Sequence, residues 1–478
     1  MIRKLLSLLT ITAVLLPGCT MIPDYTRPEA PIPAVWPSGP AYKETPGKES
    51  APVAAGLQWR AFFTDERLQE VIETALQNNR DLRVAALNVE RARALYRVQR
   101  AELLPTVNAT GTGSKERVPG ILSQSGHPAT VELYNVNLGV SSWEIDFFGR
   151  IRSLKDAALE QYFATEQARI SAQILLISEV ANAYLTLAAD RENLQLARST
   201  LETQQAAHNL IRRRFEVGLV PELDLRQVQT RVDAARVDVA QFTGLAAQDE
   251  NALNLLVGSP VPADLLPEAL SGVRPLPDVS PGTSSEVLLR RPDILQAEDL
   301  LKAANANIGA ARAALFPRIT LTTSRGTTSD QLSGLFKSGS DTWLFAPQIV
   351  MPIFDARTWS AYDVAKVERE ISLTQYEKAI QAAFREVADA LARSGTVGDQ
   401  MEAQQSLVEA TMETYRLANA RYVKGIDIYL NVLDAQRSLY AAQQVLIAIR
   451  LAKLANQVRL YAVLGGGGDS VRPLEADQ

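Results

Sequence analysis

The sequence predicts a mainly α-helical chain that also carries membrane-type β-strands, arranged as two internal repeats. Long stretches rich in Ala, Leu, Gln, Glu and Arg run without a helix breaker. Short segments of alternating polarity interrupt them, bounded by Gly, Ser and Pro. The whole order of segments then occurs a second time at a nearly constant spacing.

The N-terminus opens on Met1-Ile2-Arg3-Lys4, an apolar run from Leu5 to Leu16, and Pro17-Gly18. A basic start, a short apolar core and a small residue before the break form a secretory signal, read as residues 1–18. Cys19 follows directly and is the only cysteine of the 478 residues, so no disulfide is available to it. Beyond residue 18 no uncharged apolar run of 18 residues remains. The richest helix, "AQILLISEVANAYLTLAA", contains Glu179 and Asn182. Membrane entry is therefore expected through strands.

The net charge is −5, which does not suit a nucleic-acid binder. Two histidines far apart, His127 and His208, cannot supply a His-based metal site or catalytic dyad. The chain offers no phosphate loop, no Cys/His cluster and no GxSxG elbow, so it reads as a non-enzyme without cofactor. His208 sits on a seven-residue stripe and reads as a packed polar residue.

Residues 19–77 form an N-terminal segment with a first short helix. The first repeat, 78–258, holds a helix from about Asp81 to Pro105, strands near 105–114 and 131–142, and a long helical hairpin. Residues 259–289 are read as a Pro/Gly-rich linker or equatorial region. The second repeat, 290–465, has its strands near 317–325 and 342–352. "LGGGG" at Leu464 to Gly468 has no strand–helix unit after it and reads as a helix terminator, leaving 466–478 as a flexible tail. The copies match residue by residue: Asp81 with Asp293 and Pro105 with Pro317 at an offset of 212, "SEVANAYL" with "REVADALA" and Gly258 with Gly465 at 207.

In "YNVNLGVS", Tyr134, Val136, Leu138 and Val140 alternate with Asn135, Asn137, Gly139 and Ser141, giving one apolar and one polar face. The helices carry a 3.5-residue period. Leu225, Val228, Val232, Ala235, Val239 and Phe242 are repeated in spacing by Val432, Ala435, Leu439, Ala442, Leu446 and Ile449. Val180, Leu187, Leu194, Leu201, His208 and Phe215 hold a seven-residue step on the preceding helix. With neither proline nor glycine from 151 to 217, that helix would span ~100 Å.

Gly218 in "RFEVGLVPELDLRQVQ" and Gly425 in "RYVKGIDIYLNVLDAQ" end the two long helices. Glycine tolerates positive φ, so each marks a sharp turn into an antiparallel helix. The tips, 215–223 and 422–430, expose Leu219, Val220, Ile426 and Ile428 and are expected to contact a partner, together with Gly218 and Gly425. Leu430, Asp434 and Arg437 share one helical stripe after the second tip. Four strands cannot close in lipid, where open edges are not tolerated; two copies would give eight strands and three would give twelve. A cyclic homo-oligomer is implied.

The signal with "CTMIPDYTRPEAP", the "RDLRVAALNVERARALYRVQRAELLP" helix, "WEIDFFGRIRS", "RRPDILQAE" and "LDAQRSLY" resemble the outer-membrane factor family, the TolC/OprM-type efflux channels. The resemblance covers nearly the whole chain, with OprM-type lipoprotein channels nearest in pattern. It implies a homotrimer with a twelve-stranded barrel in the outer membrane above a periplasmic α-helical tunnel. The implied partners are a periplasmic adaptor and an inner-membrane resistance-nodulation-division transporter, and the implied function is passive export of drugs and other small toxic compounds. It also implies lipid on Cys19, a closed periplasmic end at the tips, and constricting rings of Leu430 and Asp434 beside Arg437. Asn431 stands where the TolC pattern has the first of two aspartates, which leaves a leucine ring and one acidic ring. The alternatives are the channel of a type I protein secretion system, and a periplasmic adaptor lipoprotein, which would need neither a second hairpin nor duplicated strands.

Overall fold

The computed structural model describes residues 20–43, 57–123, 126–282 and 284–468. Cys19 and residues 469–478 lie outside the described residues, while Gly466 and Gly467, read from sequence as the start of a flexible tail, are buried beside Tyr461. In chain order the main elements are α1 (Glu66–Asn78), α2 (Arg80–Ala101), β1 (Val107–Val118), β2 (Ala129–Glu144), α3 (Arg150–Glu216) and α4 (Glu222–Val257). The second series is α5 (Pro292–Ala313), β3 (Arg318–Ser329), β4 (Asp341–Val350), α6 (Ala356–Val423) and α7 (Tyr429–Val463). Chain contacts divide these into two compact units. One gathers Met1–Glu29, Val89–Thr165 and Gln296–Tyr376; the other gathers Ala30–Asn88, Glu166–Leu295 and Glu377–Gln478.

The first unit contains the sheet, an antiparallel meander in the order β1-β2-β3-β4. Val107 pairs with Val140, Val140 with Thr323, and Thr323 with Phe345, which fixes the faces. One face carries Val107, Ala109, Val136, Leu138, Leu321, Phe345 and Ile349; the other carries Asn108, Thr110, Asn135, Asn137, Thr322, Ser324 and Gln348. A bulge between Val140 and Trp143, with Ser142 at φ 55°, bends β2 near its end. β1, β2 and β3 extend beyond the segments read from sequence, whereas β4 starts one residue earlier and ends two residues earlier than read. β1 continues through Lys115, Glu116 and Arg117, charged residues that resemble a loop until their pairing with Glu132, Val131 and Thr130 is seen.

The same unit holds the start of the described chain against α5. Tyr25 Oη donates to Glu298 Oε1 at 3.2 Å, Arg27 makes a two-pronged bond to the Glu298 carboxylate, and Asn305 Nδ2 donates to the Pro23 carbonyl at 2.7 Å. Burial works against the charge on Glu298, but Arg27 and Lys302 outweigh it and hold the carboxyl below the usual glutamate range. Gly309 makes the approach possible: a Cβ there would sit 2.6 Å from Ile22 Cγ1 and 2.8 Å from its nitrogen.

In the second unit the heptad positions turn inward as the period requires. Val228, Val232, Ala235, Val432, Ala435, Ala442 and Leu446 are buried, and Leu225, Val239, Phe242, Leu439 and Ile449 are half-buried. His208 is half-buried on its stripe, whereas Phe215, the last position of that stripe, is exposed at the tip. By composition alone one stretch of α3 is apolar enough to cross a membrane; half of it is buried against its neighbours. The Pro/Gly-rich 259–289 segment is packed, with Leu266, Leu270, Leu276, Val279 and Leu288 buried.

The two repeats solve one capping problem with different chemistry. Asn79 Nδ2 donates to the Leu256 carbonyl at 2.8 Å, at the end of α4, and Asn79 Oδ1 accepts from Leu82 N. The equivalent of Asn79 is Arg291, whose Nη1 donates to the Val463 carbonyl at 2.7 Å, at the end of α7. Arg291 is buried, so its charge needs carboxylates, and Asp293 and Glu386 supply them at 2.7 and 2.9 Å. Phe62 stacks on Tyr461 at 4.0 Å, and the Tyr461 hydroxyl bonds the Leu57 carbonyl, which ties the chain before α1 to α7. Gly395, inside α6, is another crossing point: a Cβ there would lie 2.8 Å from Lys43 N and closer still to the Ala41 carbonyl.

Asp249 marks a further difference between the copies. Its Oδ2 is buried without a hydrogen-bond partner, and burial together with the Asp190 carboxyl beside it pushes its pKa up to about 6. In the second repeat the same positions are Val397 and Asn456, and Asn456 Nδ2 donates to the Ala390 carbonyl at 3.0 Å. A raised folded-state pKa means that the protonated form stabilises the fold. That contribution is complete below pH ~4 and is lost as pH rises through about 6. Asp249→Asn is expected to add ~1 kcal/mol per chain at pH 7.5, discounted for partial exposure, and almost nothing at pH 4. Thermal midpoints at the two pH values check this; an equal shift at both would refute it.

Candidate functional site at the helical hairpin tips

Both tips are built by the same backbone device. At the first, Leu219 N donates to Arg214 O at 2.8 Å and Gly218 N to Phe215 O at 2.9 Å. At the second, Ile426 N donates to Arg421 O at 3.0 Å and Gly425 N to Tyr422 O at 2.9 Å. This is a Schellman pair of bonds, which satisfies carbonyls at the end of a helix. Gly218 at φ 76° and Gly425 at φ 75° occupy the left-handed position that it requires. A Cβ would meet nothing within 4 Å at either glycine, so the requirement is conformational rather than steric.

The tips pack together through a small core of Ile211, Val228, Tyr429, Val432 and Leu433, with Val220, Leu225 and Tyr422 against it. Arg214 reaches from the first tip to the second: its Nη1 donates to the Tyr422 hydroxyl at 2.6 Å, and its guanidinium lies 5.5 Å from the Tyr422 ring centre. Tyr422 in turn packs on Tyr429 at 4.8 Å. Burial pushes the Tyr429 phenol up to about 12, so it is neutral at physiological pH. Arg421, the repeat equivalent of Arg214, stays within its own tip and bonds Asp427 at 2.5 Å. That bond holds the Asp427 carboxyl below the usual aspartate range.

The structure separates the tip residues read from sequence. Leu219, Ile426 and Ile428 are exposed, by 67, 59 and 65%. Val220 is half-buried and packs the turn, so it presents little surface. Val217, Leu223 and Val423 are exposed beside the turns and extend the apolar surface; their polar neighbours in sequence hid them.

Leu430, Asp434 and Arg437 lie on one exposed stripe of α7, while Val432 and Leu433 on its opposite side are buried. The stripe is not simply acidic. Arg437 is ion-paired to Asp434 within the same chain, with both side chains 62% exposed. Arg437 therefore compensates the aspartate, and the sequence alone did not show this pairing.

Comparison with known proteins follows the same two-copy division. The profile described as "Outer membrane efflux protein" matches residues 71–259 and 283–466. The chain is 51% identical over 469 residues to a "Toluene efflux pump outer membrane protein TtgC" of Pseudomonas putida, covering 98% of this chain and 96% of that one. It is 41% identical over 467 residues to "Outer membrane protein OprJ" of Pseudomonas aeruginosa, covering 97 and 96%. Among solved structures, the open state of the Neisseria gonorrhoeae MtrE outer membrane channel superposes with a TM-score of 0.83 at 39% identity, covering 94% of this chain and 98% of that one. The chain thus belongs to the outer membrane efflux protein family and is an efflux channel of the outer membrane, built from two copies of a strand-pair and helical-hairpin unit.

Proposed function

We propose that three copies of this chain form the outer-membrane duct of a three-part efflux pump, with an adaptor bound at the hairpin tips and a resistance-nodulation-division transporter beneath it. The open sheet carries the reading. Its outer edges, on β1 and β4, have no strand partner among the described residues, yet its apolar face is suited to lipid. Three sheets give twelve strands and remove every edge. The helices support the same assembly: α2 has no buried residue and exposes Val84, Leu87, Leu95 and Val98, and α6 exposes Val364, Val367 and Ile371 at helical spacing. Such stripes require partners in a secreted protein. Small amphiphilic toxicants are the cargo favoured by relatives named for toluene and for antibiotic efflux, over secreted polypeptides.

Lipid on Cys19 would anchor the chain in addition to the barrel. The Tyr25 and Arg27 contacts fasten the neighbouring segment without it. Cys19→Ser, with a cleavable signal, is expected to leave an outer-membrane trimer. Its recovery as a soluble periplasmic monomer would count against the barrel.

The exposed apolar tip residues are the adaptor surface in this reading. Gly218→Val or Gly425→Val would strain the left-handed turns and displace Leu219, Ile426 and Ile428. Such variants are expected to lose adaptor cross-linking by about tenfold or more while the trimer persists. Undiminished cross-linking would remove the tips from the interface.

Three-fold symmetry would turn Leu430 into a narrow apolar ring and Asp434 with Arg437 into a charged ring. The Leu430→Ala, Asp434→Ala double variant is expected to raise single-channel conductance several-fold in a planar bilayer. It should also reduce cation preference, because Arg437 would lose its carboxylate. Parental conductance and selectivity would place the constriction elsewhere.

A further inference from the structure

We propose that Arg325 binds a phosphate group of an outer-leaflet lipid, on the membrane-facing side of the sheet. The inference rests on the barrel reading for which face meets lipid. The register sets Arg325 between Leu138 on β2 and Trp343 on β4, with Ala109 of β1 beyond Leu138. On the side of this row toward the helices, the same face carries Val107, Val140, Leu321, Phe345, Pro347, Ile319 and Ile349. On the hairpin side the next row holds Val136 and Thr327 with Asp341 at its edge, Tyr134 and Ser329 follow, and Glu132, Lys115 and Arg117 lie beyond them. Arg325 is therefore the first charged side chain met on this face on the way from the helices, at the start of a graded change from apolar to charged, and its row holds a tryptophan. In membrane barrels an aromatic girdle marks the headgroup boundary.

Trp343 lies at the hairpin end of β4, and the exposed apolar Phe345 and Ile349 follow it on the same face toward the helix-connected end. The hairpin end of the sheet points away from the helix-connected ends of the strands, so Arg325 stands at the outer leaflet.

Arg325 is also unsatisfied by its own chain. Among the described residues it has neither a hydrogen-bond nor an ion-pair partner. Glu132 is occupied by Lys115 at 2.5 Å and by the Tyr134 hydroxyl at 3.1 Å, and Asp341, its diagonal neighbour, is not paired with it. An exposed guanidinium at headgroup height takes its anion from the lipid. Its planar fork fits two phosphate oxygens, and its stem lies along the apolar surface beside Trp343.

Native mass spectrometry of the purified trimer tests this with three probes: bisphosphorylated lipid A, the same lipid without phosphates, and inorganic phosphate. The parent is expected to retain bisphosphorylated lipid, and Arg325→Gln about tenfold less. Arg325→Lys should fall between them, and Arg117→Gln, beyond the boundary row, should match the parent. Should Arg325→Gln not assemble, Arg325→Thr, matched to Thr323 and Thr327, gives the same readout. Equal retention by parent and Arg325→Gln, equal retention of the phosphate-free lipid, or an equal loss in Arg117→Gln would overturn the site. Displacement of the lipid by equimolar inorganic phosphate would make it a free-anion site and overturn the lipid assignment. Heat-modified gel mobility separates the two levels: an intact trimer without lipid preference refutes this site alone, whereas absence of a trimer in the parent refutes the barrel.

Discussion

An open sheet edge cannot remain in hydrocarbon, because each unpaired N–H and C=O there has neither water nor a neighbour to bond. The rest of this chain depends on that constraint. Four strands with an apolar face must join strands from other copies, and a ring of copies then fixes the axis for everything attached to them. Each strand pair is followed by a helical hairpin, so closing the sheet also brings the hairpins of neighbouring chains side by side. The apolar stripes on α2 and α6, which have no use in an isolated chain, follow from the same geometry.

Duplication of the unit supplies the repeated geometry; its divergence supplies what the individual positions need. Asn79 and Arg291 occupy one repeat position and bond the same carbonyl, that of Leu256 or Val463. The arginine brought a charge into a buried place, and Asp293 and Glu386 accompany it. Asp249 and Asn456 diverge the other way: the amide is satisfied, and the acid is left with a buried, unpartnered oxygen. Backbone requirements are retained while side chains change, as Gly218 and Gly425 show with nearly identical φ.

The features legible in the sequence were those set by periodicity and by backbone chemistry. Heptad positions became buried because a 3.5-residue step leaves one seam for packing, and the tip glycines turned because no other residue takes positive φ so readily. Strand ends were less legible. Lys115, Glu116 and Arg117 are polar on both faces, and only the pairing with β2 makes them a strand. Contacts across long sequence separations left no local signal at all. Gly309 and Gly395 look like defects within helices, and only the crossing of Ile22 and of Ala41–Lys43 explains them. Within the candidate site, the shared stripe of Leu430, Asp434 and Arg437 followed from helical spacing. The pairing of Asp434 with Arg437, and the half-burial of Val220, depended on rotamer and packing.

On the proposal that the tips form the periplasmic entrance, the forces there suit a change of state. The only polar link between the two tips of one chain is, among the described residues, Arg214 with Tyr422; Arg421–Asp427 and Arg437–Asp434 stay within the second. Exposed ion pairs of this kind contribute ~0–1 kcal/mol each. The apolar contacts of Ile211, Val228, Tyr429, Val432 and Leu433 hold the tips more firmly, because they exclude water. Two layers of different strength therefore meet at one place: a buried core that keeps the two turns of a chain together, and a surface set of weak charged links. A partner that altered only the surface set could move the tips as intact bodies. Shifting a two-state equilibrium from 1:99 to 99:1 takes ~5.5 kcal/mol of differential binding. Divided over three chains, that is ~2 kcal/mol each, the scale of two or three such links together, so the hairpin cores need not unfold for an entrance formed by the tips to open.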